Sequence, residues 1–85
     1  MPNIKLFANL RKLAGKKELQ VTGVNLHAAI DHMIDQFPAL DGVIMENGQI
    51  REYFVIAING NIVTDLDAAL SIDDVVAVFP PLAGG

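Results

Sequence analysis

One segment of this 85-residue chain has the apolar spacing of an amphipathic helix, and it limits the folds that the rest can adopt. Its apolar residues recur at helical intervals and share one face: Leu26, Ile30, Met33, Ile34 and Phe37. Asn25 is a suitable N-cap, and Pro38 ends the helix because the residue before a proline avoids the α region. A single helix cannot bury such a face alone, so a sheet must cover it.

The remaining apolar patterns are those of strands. Apolar and polar residues alternate, or apolar residues run together, over residues 4–9, 18–22, 53–58, 62–63 and 75–79. The first two strands favour a hairpin, and Asn59-Gly60 predicts a tight turn between the third and the fourth. The nearly continuous apolar run over 53–58 predicts a central strand covered on both faces. Residues 39–52 are mostly loop with a turn at Asn47-Gly48, and 65–70 read as a short helical turn.

The resulting order is β-β-α-β-β-β, which is typical of the β-grasp, or ubiquitin-like, arrangement in the α+β class. It predicts a mixed sheet of about five strands packed on one main helix. With one crossover helix, the first and last strands can pair in parallel at the centre of the sheet. We expect residues 1–79 to form the domain and residues 80–85 to form a flexible tail.

The composition limits the classes of molecule that this chain is expected to bind. Hydrophobic residues make up 52% of the chain and charged residues 19%, so some apolar surface is expected to stay exposed, near Phe79, Pro80 and Leu82. Such a patch indicates a protein partner, although scattered surface apolars would give the same composition. A net charge of −4 argues against nucleic acid, and no apolar run is long enough for a membrane span. With no cysteine and no signal-peptide pattern, we expect a cytoplasmic protein.

The body of the chain shows no catalytic or metal-binding pattern. His27 and His32 are about 140° apart around the predicted helix, so they do not share a face. No serine stands in a nucleophile-elbow context, and no Gly-rich phosphate loop precedes a helix. The five basic residues within 5–17 are a possible patch, but they also suit a hairpin edge that must stay soluble.

The one reactive group in an unusual setting is the carboxylate of Gly85. The last strand runs into Pro80-Pro81, which end it and favour an extended spacer. Gly84 and Gly85 lack Cβ atoms and make a thin tip that can enter a narrow active site, with a reach of at most about 20 Å from Pro80. A frayed terminus without function is the other interpretation of the same residues.

Three segments resemble the small subunit of molybdopterin synthase and related ubiquitin-like sulfur carriers. Phe79-Pro80-Pro81-Leu82-Ala83-Gly84-Gly85 resembles the family's C-terminal signature. Residues 4–15 look like its first strand and following turn, and residues 58–60 are similar to its hairpin. The likeness is weakest across residues 39–52.

The resemblance implies that the chain carries sulfur and binds no cofactor or metal itself. A ubiquitin-activating-type adenylyltransferase would use ATP to adenylate Gly85, and a persulfide donor would convert the adenylate to a thiocarboxylate. The large subunit of molybdopterin synthase would then accept the tail, and the sulfur would enter molybdenum-cofactor biosynthesis. Gly84 and Gly85 would form the reacting tip. The partner-binding residues would be Phe79, Pro80, Pro81, Leu82 and Ala83.

Two alternatives stay open. The first is a protein modifier joined through Gly85 to lysines of target proteins. The loop over residues 45–53 resembles that of archaeal-type, stand-alone relatives, which argues against a dedicated synthase subunit. The second alternative is a non-enzymatic interaction domain with an inert tail.

Overall fold

The computed structural model describes residues 1–81, and within them the elements follow the predicted order with small additions. The helical segments are α1 Asn9–Ala14, α2 Leu26–Gln36 and a 3₁₀ turn Pro38–Leu40. The strands are β1 Asn3–Leu6, β2 Glu18–Gln20, β3 Met45–Glu46, β4 Gln49–Ile50, β5 Val55–Ile58, β6 Asn61–Ile62 and β7 Val75–Phe79. None of the described helices is long and apolar enough to cross a membrane.

The main sheet has five strands in the order β2-β1-β7-β5-β6. β1 and β7 pair in parallel, with Leu6 opposite Val78, and the other neighbours are antiparallel. This confirms the predicted parallel pairing of the first and last strands at the sheet centre. β3 and β4 form a separate small hairpin around Asn47 and Gly48, as the turn signal predicted. The fold is therefore a β-grasp, ubiquitin-like α+β fold.

Helix α2 lies against the sheet with the predicted face. Leu26, Ile30 and Met33 are fully buried, while Ile34 and Phe37 are partly buried against the same core. The Asn25 side-chain oxygen accepts a hydrogen bond from the Ala28 N–H at 2.8 Å, so the predicted N-cap is confirmed. The helix ends at Gln36, ahead of the 3₁₀ turn that begins with the proline.

Two local predictions are wrong. The apolar run over residues 53–58 forms a strand only from Val55 onward. Val55 is 42% exposed, and within this strand only Ile56 and Ala57 are buried. The predicted cover on both faces is therefore incomplete. Residues 65–70 contain one turn, closed by a hydrogen bond from the Ala68 N–H to the Asp65 carbonyl at 3.1 Å, but no helix. The carbonyls of Leu66 and Ala68 instead accept hydrogen bonds from the first turn of α2.

Hydrogen bonds of the Asp74 and Asn59 side chains link the turn after β5 to the start of β7. The Asp74 carboxylate accepts hydrogen bonds of 2.8 Å from the Ser71 backbone N–H and from the Asn59 side-chain amide. The Asn59 side-chain oxygen in turn accepts from the Val75 N–H at 2.9 Å. The Ser71 hydrogen bond, and then that of Asn59, lower the pKa of Asp74 below its ordinary value of 3.8.

We expect Asp74→Asn to destabilise the fold at neutral pH and to matter less in acid. A folded-state pKa below the unfolded one means that ionised Asp74 stabilises the fold above the unfolded pKa. This stabilisation is lost as the pH falls through the lower, folded-state pKa. Urea unfolding of wild type and variant across this pH range measures the effect. Asp73→Asn is the control, since the Asp73 side chain makes no hydrogen bond within residues 1–81. A pH-independent gap between Asp74→Asn and wild type would contradict the prediction.

Candidate functional site

The last strand ends at one end of the sheet, and two prolines follow it. β7 ends at Phe79, and Pro80 and Pro81 follow outside regular structure, as the sequence predicted. The other members of the predicted site lie outside the described residues: Leu82, Ala83, Gly84 and Gly85. The described part of the site is thus the end of β7 and the two prolines.

Phe79 is anchored on one side and exposed on the other. Its ring stacks on Phe7, with the ring centroids 4.6 Å apart and the planes 15° from parallel. The pairing of β1 with β7 explains this contact, because Leu6 is opposite Val78 and the next residues are the two phenylalanines. Phe79 remains 38% exposed, which confirms the predicted apolar exposure at this residue. The stacked pair therefore forms an aromatic base at the end of β7.

An open apolar groove of about 1030 Å³ lies beside this base. One wall is formed around the stacked phenylalanines and the two prolines, and the other by the segment that leads into β5 and by the loop after the 3₁₀ turn. The lining residues are Phe7, Ala8, Asn9, Val43, Arg51, Tyr53, Phe54, Val55, Phe79, Pro80 and Pro81. The groove suits an apolar side chain from a partner.

Arg51 holds the second wall in place. Its Nε and one terminal nitrogen donate to the Gly42 carbonyl at 3.0 and 2.8 Å, and its other terminal nitrogen lies 3.1 Å from the Glu46 carboxylate. Its backbone N–H also donates to the Ile44 carbonyl at 2.8 Å. Arg51 therefore ties the β3–β4 hairpin and the preceding loop to the groove.

Arg11 fixes the edge of the first wall. Its Nε donates to the Leu6 carbonyl at 2.7 Å, and its guanidinium carbon lies 5.2 Å from the centroid of the Phe7 ring. This is the distance of a cation–π contact. Phe7 and Arg11 were not predicted as site residues. Only the parallel pairing of β1 with β7 signals that Phe7 meets Phe79, and Arg11 joins the site through its contact with Phe7.

The two histidines lie away from this groove. His27 is exposed, with its Nε2 3.4 Å from the Asp31 carboxylate on the same helix. The His32 Nδ1 accepts a hydrogen bond from the Thr22 N–H at 2.7 Å and so has a structural role. Within residues 1–81, no three histidine, aspartate or glutamate side chains converge as a metal ion would require.

Comparison with known proteins finds the same fold in solved structures and identifies a family that the chain matches. The model of the ThiS family matches residues 4–85. Small archaeal modifier protein 3 of Haloferax volcanii is 30% identical over 96% of each chain. The crystal structure of SAMP1 from Haloferax volcanii superposes with a TM-score of 0.92 at 28% identity, covering 99% of this chain and 98% of that one.

A further solved structure is a putative molybdopterin converting factor, subunit 1, from Pyrococcus furiosus. Its TM-score is 0.74 at 29% identity, over 95% of this chain and 97% of that one. The family match includes the last strand, the two prolines and both terminal glycines. The chain belongs to the ThiS family, whose members are ubiquitin-like sulfur carriers with the β-grasp fold.

Proposed function

We propose that this chain is a sulfur carrier whose reacting group is the carboxylate of Gly85. The observation that carries the proposal is the arrangement at the end of β7, where an anchored Phe79 and two prolines begin the tail beside an apolar groove. The family match through residue 85 supports it. The groove offers a partner a surface to hold while the tail enters the partner's active site.

The chemistry would proceed on the activating enzyme, a ubiquitin-activating-type adenylyltransferase. A Gly85 carboxylate oxygen attacks the α-phosphate of ATP, and pyrophosphate leaves. The terminal sulfur of a persulfide then attacks the acyl carbon and displaces AMP. Cleavage of the resulting acyl disulfide by a thiol releases the thiocarboxylate. Gly84 and Gly85 suit these steps because neither has a Cβ to block the approach of a nucleophile.

Two uses of the adenylated Gly85 carboxylate have support, namely sulfur donation and conjugation to lysines. Likeness to a putative molybdopterin converting factor subunit favours sulfur donation for the molybdenum cofactor, with this chain as the small subunit beside a large one. Likeness to small archaeal modifier protein 3 favours conjugation through Gly85 to lysines of target proteins. Both need the same adenylate at Gly85, so one protein can serve both roles.

Mass spectrometry of the protein from its native cells separates these roles. An oxygen-to-sulfur exchange at Gly85 supports the carrier. A lysine side chain of another cellular protein that is joined by an isopeptide bond to the carboxyl of Gly85, without that exchange, supports the modifier. A protein with neither change, isolated from cells that are making the cofactor, would overturn both roles and leave the interaction domain.

Phe79→Ala should weaken binding to the activating enzyme by at least about tenfold. The change removes the ring that stacks on Phe7 and opens the groove wall, and a large aromatic side chain at an interface centre is a frequent hot spot. Asp35→Ala is the control, because Asp35 is exposed on the outer side of α2. Calorimetric titration with both variants measures the difference. If a folded Phe79→Ala protein binds like the control, the groove is not the contact surface.

A further inference from the structure

The dipeptide Asn-Gly occurs twice in this chain, at Asn47-Gly48 and at Asn59-Gly60. In this dipeptide the glycine nitrogen can attack the side-chain carbonyl carbon of the asparagine, because glycine has no side chain to hinder the approach. The other asparagines stand before the bulkier side chains of isoleucine or leucine: Asn3, Asn9, Asn25 and Asn61. The sequence alone therefore gives two equal candidates for this reaction.

The fold places both dipeptides in the same kind of turn. Each is the two-residue loop of a hairpin, closed by Glu46 opposite Gln49 in one hairpin and by Ile58 opposite Asn61 in the other. The φ angles of the two asparagines are 53° and 51°, and those of the two glycines are 76° and 85°. All four residues of the two loops are exposed. Neither the φ angles nor solvent access therefore distinguishes one dipeptide from the other.

Hydrogen bonds hold the side chain of Asn59 at both of its polar atoms. Its amide nitrogen donates to the Asp74 carboxylate at 2.8 Å, and its oxygen accepts from the Val75 N–H at 2.9 Å. The backbone N–H of Asn59 also donates to the Val75 carbonyl at 2.8 Å. Attack on the side-chain carbonyl carbon requires this amide to rotate, so both side-chain hydrogen bonds must break first. Their loss should slow the reaction at Asn59 by about tenfold or more.

The side chain of Asn47 has no such restraint. The side-chain hydrogen bonds found at its hairpin within residues 1–81 are those of Arg51 to Gly42 and Glu46, and none of them involves Asn47. Two residue pairs close this hairpin, which forms a small sheet of its own, whereas β5 and β6 beside Asn59 belong to the five-stranded sheet. A small separate hairpin opens more readily than part of the main sheet. Asn47 can therefore reach the geometry of ring closure more easily than Asn59 can.

We propose that Asn47 is a site of spontaneous deamidation and that the fold protects Asn59 from the same reaction. The Gly48 nitrogen attacks the side-chain carbonyl carbon of Asn47 and gives up its proton, and the amide nitrogen leaves with that proton as ammonia. A cyclic imide of Asn47 and Gly48 remains. Water then opens the imide at one of its two carbonyls, which leaves either aspartate or isoaspartate at position 47. Water is the only co-reactant.

Both products change the cleft between the β3–β4 hairpin and α2. Asn47 and Gly48 line this polar cleft together with His27, Asp31, Asp35 and Asp41. The new carboxylate at position 47 meets three aspartates there, and His27 already lies 3.4 Å from one of them, so repulsion between like charges should weaken the seat of the hairpin on α2. Isoaspartate also adds one carbon atom to the main chain of the two-residue turn, which disturbs the pairing of β3 with β4.

Peptide mapping of the full chain during storage at neutral pH tests this inference. A folded sample and a guanidinium-unfolded sample are kept in parallel. Trypsin cleaves after Arg51 and so puts the two asparagines in different peptides. Fragment ions then locate the mass gain that accompanies exchange of the amide NH₂ for a hydroxyl. We expect Asn47 to react at least about tenfold faster than Asn59 in the folded sample, and the two rates to be nearly equal in the unfolded sample.

Asp74→Ala tests the protection of Asn59 directly. This change removes the acceptor of the Asn59 side-chain amide and should raise the rate at Asn59 toward that at Asn47, while the rate at Asn47 stays the same. Asp73→Ala is the matched control, because it removes the neighbouring carboxylate and leaves the hydrogen bonds of Asn59 in place. Melting curves verify that both variants are folded.

Equal deamidation rates at Asn47 and Asn59 in the folded wild type would overturn the inference. An Asn47 that stays intact in the folded chain but reacts in the unfolded chain would also overturn it, because the turn would then protect Asn47 as well. If a folded Asp74→Ala protein deamidates at Asn59 no faster than Asp73→Ala does, the hydrogen bonds of Asn59 are not what protects it, and the argument that separates the two sites is wrong.

Discussion

Deletion of Gly85 should abolish both thiocarboxylate formation and conjugation while leaving the fold intact. The shortened chain ends at Gly84, so its carboxylate stops about 3.3–3.6 Å short of the reacting position. Replacement of Gly84 with leucine should have nearly the same effect, because a Cβ and a branched side chain then stand where a narrow active site admits only backbone. Among residues 1–81, the buried core residues that hold the domain lie between Ile4 and Val78, so unfolding should not change.

Activity and melting are measured on the same preparations. Val24→Ala is the matched control, since Val24 is 79% exposed and lies outside the groove. Wild type and control should form the adenylate equally, and the two tail variants should form none. A Gly85 deletion that still accepts sulfur would contradict the requirement for a carboxylate at position 85.

Ile56→Ala should lower the free energy of unfolding by about 2–5 kcal/mol, the usual range for a buried isoleucine truncated to alanine. Ile56 is only 2% exposed and lies opposite Val78 in the central strand pair, where the neighbouring core cannot readily collapse into the space. Ile34→Ala should fall at or below the lower end of that range, because the structure leaves Ile34 partly buried rather than fully buried.

Urea unfolding gives both values. Ile62→Ala removes the same atoms from β6 at a site that is 72% exposed and should cost less than about 0.5 kcal/mol. Equal losses at Ile56 and Ile62 would mean that the register of β5 is wrong.

Periodicity and turn chemistry were sufficient to predict the framework of the fold. The spacing of Leu26, Ile30 and Met33 identifies the helix face because burial against a sheet requires it. Asn25 and Asn59-Gly60 mark the start of that helix and the hairpin turn by local hydrogen bonding and backbone preference. Parallel pairing of the first and last strands follows from the single crossover helix.

The wall of the candidate site could not be predicted from local patterns. Arg51 has no local feature that indicates its hydrogen bonds to the Gly42 carbonyl, which depend on how the loop folds. The bend into α1 places Ala8 at φ 52°, a conformation that alanine seldom adopts and that no turn residue announces. The packing of α2 against Gly23 could not be predicted either. An added Cβ at Gly23 would lie 2.6 Å from the Ala29 backbone nitrogen, and only the packed helix reveals this close approach.

The most direct test of the proposed function is a change of the terminal carboxylate alone. Semisynthesis can supply the full chain with a carboxamide in place of the Gly85 carboxylate, which leaves every side chain unchanged. With the activating enzyme and ATP, the natural acid should support pyrophosphate exchange and the carboxamide should support none, although both should bind the enzyme. Equal pyrophosphate exchange with both chains, or no exchange with the natural acid, would contradict the proposal that the carboxylate of Gly85 is the reacting group of this protein.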